Sequence, residues 1–198
     1  MRSIAVIDSG GANLGSVVQA LSRIGASAVL TSDADTIRGA ERVILPGVGA
    51  AAWAMKALRE AGLVEVIRGL EQPVLGICLG LQLMFEGSEE GDAECLGLIP
   101  GRVRRLTGGE GLRLPHMGWN QLRWERDDPL ARDIDAEAWF YFVHGYAAPV
   151  DGPACVARSE HGEPFAAIVR HENFAACQFH PEKSAGPGHQ LLRNFLDS

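Results

Sequence analysis

The sequence lacks the features that mark exported, membrane-spanning or nucleic-acid-binding chains. No apolar run approaches the roughly eighteen residues of a membrane helix. Met1-Arg2 leads straight into the strand-like Ile4-Ala5-Val6-Ile7, so no signal peptide is expected and the chain is read as cytoplasmic. Its four cysteines, Cys78, Cys95, Cys155 and Cys177, show neither C-x-x-C pairing nor dense spacing. That argues against a disulfide scaffold and predicts reduced thiols. Six scattered histidines form no ligand pattern, so no metal is expected, and no cofactor. Basic residues are in deficit, 18 against 25 acidic ones, and a net charge of −7 disfavours a general nucleic-acid role. The one basic run, Arg102-Val103-Arg104-Arg105, reads as a solvated strand edge or a partner contact. Repeats, low-complexity tracts and linkers are absent as well, and residues 1–198 are expected to form a single domain.

What the chain does contain is Pro73-Val74-Leu75-Gly76-Ile77-Cys78-Leu79-Gly80-Leu81-Gln82. This reads as a buried strand ending in G-x-C-x-G and passing into an apolar helix, the nucleophile-elbow pattern with cysteine as nucleophile. Glycines on either side leave room for a strained turn that holds the side chain out for attack. N–H groups from Leu79 onward face the sulfur, which favours thiolate and is expected to lower the cysteine pKa.

Near the C-terminus stands Phe179-His180-Pro181-Glu182-Lys183-Ser184. Pro181 biases His180 toward extended dihedrals. In an extended chain Glu182 would share a side with His180 and meet one imidazole nitrogen while the other faces a nucleophile.

Between these motifs the first half alternates. Strands are expected at Ser3–Asp8, Ala26–Thr31, Arg42–Leu45 and Val74–Ile77, and helices at Ser16–Ile24, Ala50–Ala61 and Leu63–Leu70, with a helical turn around Asp33–Arg38. Strands separated by such helices imply an α/β fold with a mostly parallel open sheet flanked by helices. After about residue 96 short β-like runs follow at Val103–Leu106, Trp139–Val143, Cys155–Ser159, Phe165–Val169 and Phe174–Phe179, an added antiparallel portion, with a closing helix at Leu191–Leu196. Active sites in open parallel sheets lie at the carboxyl ends of strands, where Asp8, Pro46-Gly47-Val48-Gly49 and Cys78 all fall. Gly47, Val48 and Gly49, with the N–H of Leu79 after the nucleophile, suit an oxyanion hole. From these residues the chemistry reaches a cysteine amidase or peptidase.

Gly76-Ile77-Cys78-Leu79-Gly80-Leu81-Gln82 together with Phe179-His180-Pro181-Glu182-Lys183-Ser184 resembles the class I glutamine amidotransferases, which have a flavodoxin-like fold. Pro115-His116-Met117-Gly118-Trp119-Asn120, Tyr141-Phe142-Val143-His144-Gly145-Tyr146 and Asp8-Ser9-Gly10-Gly11-Ala12-Asn13-Leu14 resemble, within that class, the glutaminase subunits of imidazole glycerol phosphate synthases. The resemblance covers the chain in order. It implies a Cys78-His180-Glu182 triad, with Gly49, Gln82, His144, Gly145 and Tyr146 around the glutamine. It implies docking of Asn13, Trp119, Asn120 and Lys183 on a (β/α)₈-barrel cyclase in a heterodimer, with ammonia passing across the interface and the Val48 peptide turning to complete the oxyanion hole. Two positions depart from the family: Gly145, where serine is common, and Ser9, where an aromatic is common. Rival readings are an amidotransferase of another pathway, a free-standing cysteine peptidase and a catalytically dead binding subunit. P-H-M-G-W-N argues against the first and the complete triad against the last.

Overall fold

The computed structural model describes residues 2–10, 14–109 and 111–198. The chain begins with β1 (Ile4–Ile7), α1 (Leu14–Arg23), β2 (Ala28–Thr31), α2 (Ala34–Gly39), β3 (Arg42–Gly47), α3 (Ala51–Glu60), α4 (Val64–Arg68) and β4 (Val74–Cys78). The short α5 (Leu79–Leu83) follows β4 without a loop. Then come β5 (Phe85–Ser88), β6 (Ala93–Glu94), β7 (Ile99–Arg105), β8 (His116–Gln121), β9 (Arg123–Trp124), β10 (Trp139–His144) and β11 (Tyr146–Ala147). The chain closes with β12 (Cys155–Glu160), β13 (Pro164–His171), β14 (Phe174–Cys177) and α6 (Ala185–Asp197).

Eight strands form one sheet in the order β2-β1-β3-β4-β14-β13-β12-β9. From β2 to β14 the pairing is parallel, in the doubly wound order, and β13, β12 and β9 continue it antiparallel. Both faces are covered, which is why β1 and β4 are buried throughout and read as continuous apolar runs. Alternation along β1 divides the core. Ile4 and Val6 join Val17 and Leu21 of α1 and Leu191 and Phe195 of α6. Ala5 and Ile7 join Ile37, Met55, Leu58 and Ile67 on the opposite face. Two smaller sheets, β11-β7-β5-β6 and β10-β8, stand over the carboxyl end of the parallel strands. Among the described residues no helix is long and apolar enough to cross a membrane.

The structure departs from the sequence expectations in three places. The helix after Cys78 lasts five residues before the chain turns into β5, so the added β portion starts at Phe85 rather than near residue 96. β8 is a strand inside P-H-M-G-W-N, paired antiparallel with β10; Pro115 and Gly118 hid it, because neither favours a strand interior. The closing helix begins at Ala185, directly after the His180 turn. The basic run lies along β7, where Arg102, Arg104 and Arg105 are exposed around buried Val103. Arg102 pairs with Asp92.

Candidate active site

Register brings the site together. Gly47 at the end of β3 pairs with Cys78 at the end of β4, so Val48 and Gly49 continue past the thiol. On the other flank Cys177 of β14 pairs with Ile77, and the chain reaches His180 three residues later.

Cys78 has φ 54° and ψ −105°, outside the regions that L-residues favour. Such strain costs of order 1–3 kcal/mol and persists only where the surroundings enforce it. The enforcement is steric. A Cβ on Gly76 would lie 2.9 Å from the Cβ of Ala176 and from the Gly80 carbonyl, and one on Gly80 would lie 1.8 Å from the Leu45 carbonyl oxygen. Only glycine lets α5 start this close to β3. Gly80→Ala is therefore expected to destabilise the protein by more than about 4 kcal/mol, the range reserved for a broken core. Its urea midpoint, or its failure to accumulate as soluble protein, measures this, and a midpoint equal to wild type would refute the steric account.

His180 is clamped at its backbone. Its N–H donates to the Tyr141 carbonyl at 2.9 Å, and its carbonyl accepts from the Ser184 hydroxyl at 2.6 Å. The Ser184 hydroxyl oxygen in turn accepts from the Tyr141 N–H at 2.9 Å. The ring Nδ1 lies 2.8 Å from Glu182 Oε1. The reason is not the extended geometry expected from the sequence: Pro181–Lys183 is a 3₁₀ turn, and its curl brings the carboxylate back to the imidazole. Burial disfavours the imidazolium, but hydrogen bonds and charge from Cys78 and Glu182 outweigh it and push His180 up to about 10. The Cys78 thiol lies 3.7 Å from the Val143 carbonyl, and the Gln178 side-chain amide donates toward the sulfur at 3.8 Å.

A cavity of about 190 Å³ opens above the sulfur, bounded by Val48, Gly49, Cys78, Leu79, Gln82, Glu90, His144, Gly145, Tyr146, His180 and Lys183 among others. An apolar cavity of about 150 Å³ can hold benzene, so this one suits a small polar metabolite. Gln82 is buried, and its amide donates to the Tyr146 carbonyl at 2.9 Å and to Gln178 Oε1 at 3.2 Å. His144 is buried with both ring nitrogens engaged, Nδ1 to the Tyr146 carbonyl and Nε2 to His116. It therefore offers the cavity its backbone and ring edge rather than a free nitrogen. The Gly145 carbonyl accepts from the Leu106 N–H at 3.0 Å, and a side chain there would meet only Pro115, at an ordinary 3.8 Å.

Two residues near the thiol, Glu90 on the cavity wall and Gln178 buried beneath it, were not singled out from the sequence. Glu90 reaches the site because the β5–β6 connection folds over α3, where its carboxylate accepts the Ala51 N–H at 2.8 Å. Gln178 follows β14 and is fully buried against the thiol; its place two residues before His180 was the available clue.

The residues assigned to docking separate. Asn13 lies outside the described residues. Lys183 is exposed at the cavity rim. Trp119 is half exposed and packs edge-on against Tyr141, its cross-strand partner. With Met117 and Trp139, which are 64% and 51% exposed, it makes an apolar outer face on the β8–β10 ribbon. Asn120 does not belong to that face. One residue along the strand points to the other side, and its amide is occupied by the Glu160 carbonyl and the Gln121 N–H. Ser9 is buried, and its hydroxyl donates to the Pro46 carbonyl at 3.3 Å, tying the loop after β1 to the oxyanion segment.

Comparison with known proteins identifies the family. The sequence model of class-I glutamine amidotransferases matches residues 5–198. Curated relatives include imidazole glycerol phosphate synthase subunit HisH of Xanthomonas axonopodis pv. citri (strain 306), 56% identical over 197 residues, with 100% of this chain and 98% of the relative aligned. The subunit of the same name from Xylella fastidiosa (strain Temecula1 / ATCC 700964) is 53% identical over the same shares. Among solved structures, one described as a glutamine amidotransferase superposes with a TM-score of 0.76 at 22% identity, covering 98% of this chain and 97% of that one. PurLQS from Thermotoga maritima superposes at 0.75 and 20% identity, covering 100% and 99%. At these identities the structures speak for the fold.

Proposed function

Because the chain belongs to the class I glutamine amidotransferases, we propose that it is the glutaminase subunit of an imidazole glycerol phosphate synthase, acting in the cytoplasm as one domain of residues 1–198. The observation that carries the reading is the meeting of Cys78, His180 and Glu182 under a cavity of amino-acid size. The Cys78 thiolate attacks the γ-amide carbon of glutamine, and His180 protonates the departing nitrogen, which leaves as ammonia. Water then adds to the thioester with His180 as base, releasing glutamate. N–H groups of Val48, Gly49 and Leu79 are the proposed holders of the oxyanion. Gly49, Gln82, His144, Gly145 and Tyr146 hold the amino-acid moiety, with Glu90 as counter-charge to its ammonium group.

The partner assignment draws on one strand. Along β10 the Tyr141 carbonyl holds His180 and the Val143 carbonyl faces Cys78, while Trp139 and Tyr141 belong to the same ribbon as Met117 and Trp119. A barrel cyclase seated on Met117, Trp119 and Trp139 would lie one strand away from the nucleophile, a short path for ammonia. Exposed aromatic residues grouped in this way suit interface anchors.

The test measures glutamate release from glutamine by this protein alone and with a cognate barrel cyclase carrying its nucleotide ligand. Weak activity alone and strong activity in the mixture are expected. Trp119→Ala should weaken the complex roughly tenfold to thirtyfold, as loss of an interface anchor does. Full activity without the cyclase would favour an independent hydrolase instead.

A further inference from the structure

Three histidines outside the triad, His116, His144 and His161, form a connected chain from the cavity wall to the surface, and nothing in the reaction as described uses His116 or His161. The His116 ring is held between two others. His161 stacks on one side with centroids 4.2 Å apart and planes 19° apart, and Phe142 stacks at 5.1 Å and 22°. A ring so confined cannot turn its Nδ1 away from His144, 3.0 Å distant.

The proton positions follow by elimination. The Tyr146 carbonyl can only accept, so His144 Nδ1, 2.9 Å from it, carries a hydrogen. Burial depresses His144 to about 3 and His116 to about 4, so both rings are neutral at physiological pH. A neutral His144 protonated on Nδ1 has a bare Nε2, and His116 must meet it with Nδ1–H. His161 belongs to the same frame, since its Nε2–H donates to the Arg113 carbonyl at 2.9 Å. The hydrogen bonds thus run one way, from His116 to His144 to the Tyr146 carbonyl, which also accepts from Gln82 at 2.9 Å. That carbonyl belongs to the Gly145–Tyr146 wall of the cavity.

We infer that His116 is a positioning residue for the substrate: by donating from Nδ1 it fixes the tautomer of His144, and through His144 it holds the Gly145–Tyr146 backbone in the orientation that receives the glutamine amino-acid moiety. The inference rests on the glutaminase reading above. It makes His116, embedded in P-H-M-G-W-N, a determinant of glutamine affinity on the inner side of a strand whose outer side carries Met117 and Trp119.

Three substitutions separate the donor from the ring. His116→Asn places an amide N–H near the former Nδ1, His116→Gln moves it toward Nε2, and His116→Phe keeps a stacking ring without a donor. The measurements are KM and kcat for glutamine in the complex. In parallel, Cys78 labelling by the glutamine analogue 6-diazo-5-oxo-L-norleucine is compared with alkylation by iodoacetamide, which needs no amino-acid site. With one hydrogen bond lost, KM should rise about fivefold to tenfold in the Gln and Phe variants. Labelling by the analogue should slow in proportion, the iodoacetamide rate should stay at the wild-type value, and Asn should restore both KM and labelling. If the Phe variant does not fold, the Asn and Gln pair still decides. Equal KM in all variants, an equal rise in Asn and Gln, or a parallel loss of iodoacetamide reactivity would overturn the inference. Wild-type protein that neither hydrolyses glutamine nor takes up the analogue would overturn the glutaminase reading itself, and the inference with it.

Discussion

Replacing Cys78 with alanine is expected to lower glutamine hydrolysis by roughly a millionfold, the scale on which loss of a nucleophile collapses triad catalysis. Product formation by the cyclase complex supplied with free ammonia should remain near wild type. The split follows from where the sulfur sits. Its neighbours are the Val143 carbonyl, the Gln178 amide and His180, all on the cavity side of β10, while Met117, Trp119 and Trp139 lie on the exposed side. The backbone strain at φ 54° is enforced by Gly76 and Gly80 and survives the change. No other cysteine can take over. Burial holds the Cys177 thiol far above its usual range and pushes Cys95 up to about 11. The variant should also lower the pKa of His180, which loses the hydrogen bond and charge of Cys78 but keeps the burial that opposes its protonation. NMR titration of the ring reads this directly. Residual hydrolysis well above about one part in a million of the wild-type rate, the level left when an oxyanion hole and binding act without a nucleophile, would point to a different nucleophile.

The sequence revealed the parts of the site whose geometry is local and concealed those made by distant segments. G-x-C-x-G is legible because its spacing lies within one strand-to-helix turn, although the atoms its glycines clear include Ala176 and Leu45 on the flanking strands. H-P-E is legible as a pair although the turn that joins it is 3₁₀ rather than extended. Alternating strands and helices disclosed the parallel sheet, but strand order depends on crossovers that no local pattern records. Glu90, Gln178 and His116 stayed hidden for the same reason. Each becomes part of the site only when β5, β14 or β8 is packed against something far away in sequence, and a single acidic, amide or imidazole residue is ordinary until then. Asn120 shows what adjacency in a motif does not convey. Its motif placed it beside Trp119, but strand alternation sends it to the other side of the ribbon and gives its amide to Glu160.

Glu182→Gln is the second large effect, with an expected fall in kcat of roughly 10³–10⁴ and little change in KM. A carboxylate can only accept, so Glu182 obliges His180 to carry its hydrogen on Nδ1 and leaves Nε2 to exchange a proton with Cys78. A glutamine amide offers a donor as well, which permits the opposite tautomer and removes the charge that favours the imidazolium. The same substitution predicts a pH-dependent loss of stability. His180 titrates near 10 in the folded protein and near its ordinary value of about 6.5 when unfolded. A group with its folded pKa raised contributes stability that is complete below the unfolded value and disappears as pH rises through the folded one. Part of that contribution comes from Glu182. The stability gap between wild type and Glu182→Gln should therefore be widest near pH 6 and shrink as pH approaches about 10, as urea unfolding across this range would record. A gap that instead stayed constant across this range would mean that the carboxylate acts through packing alone, with His180 neutral at rest and the proton transfer beginning from the thiol.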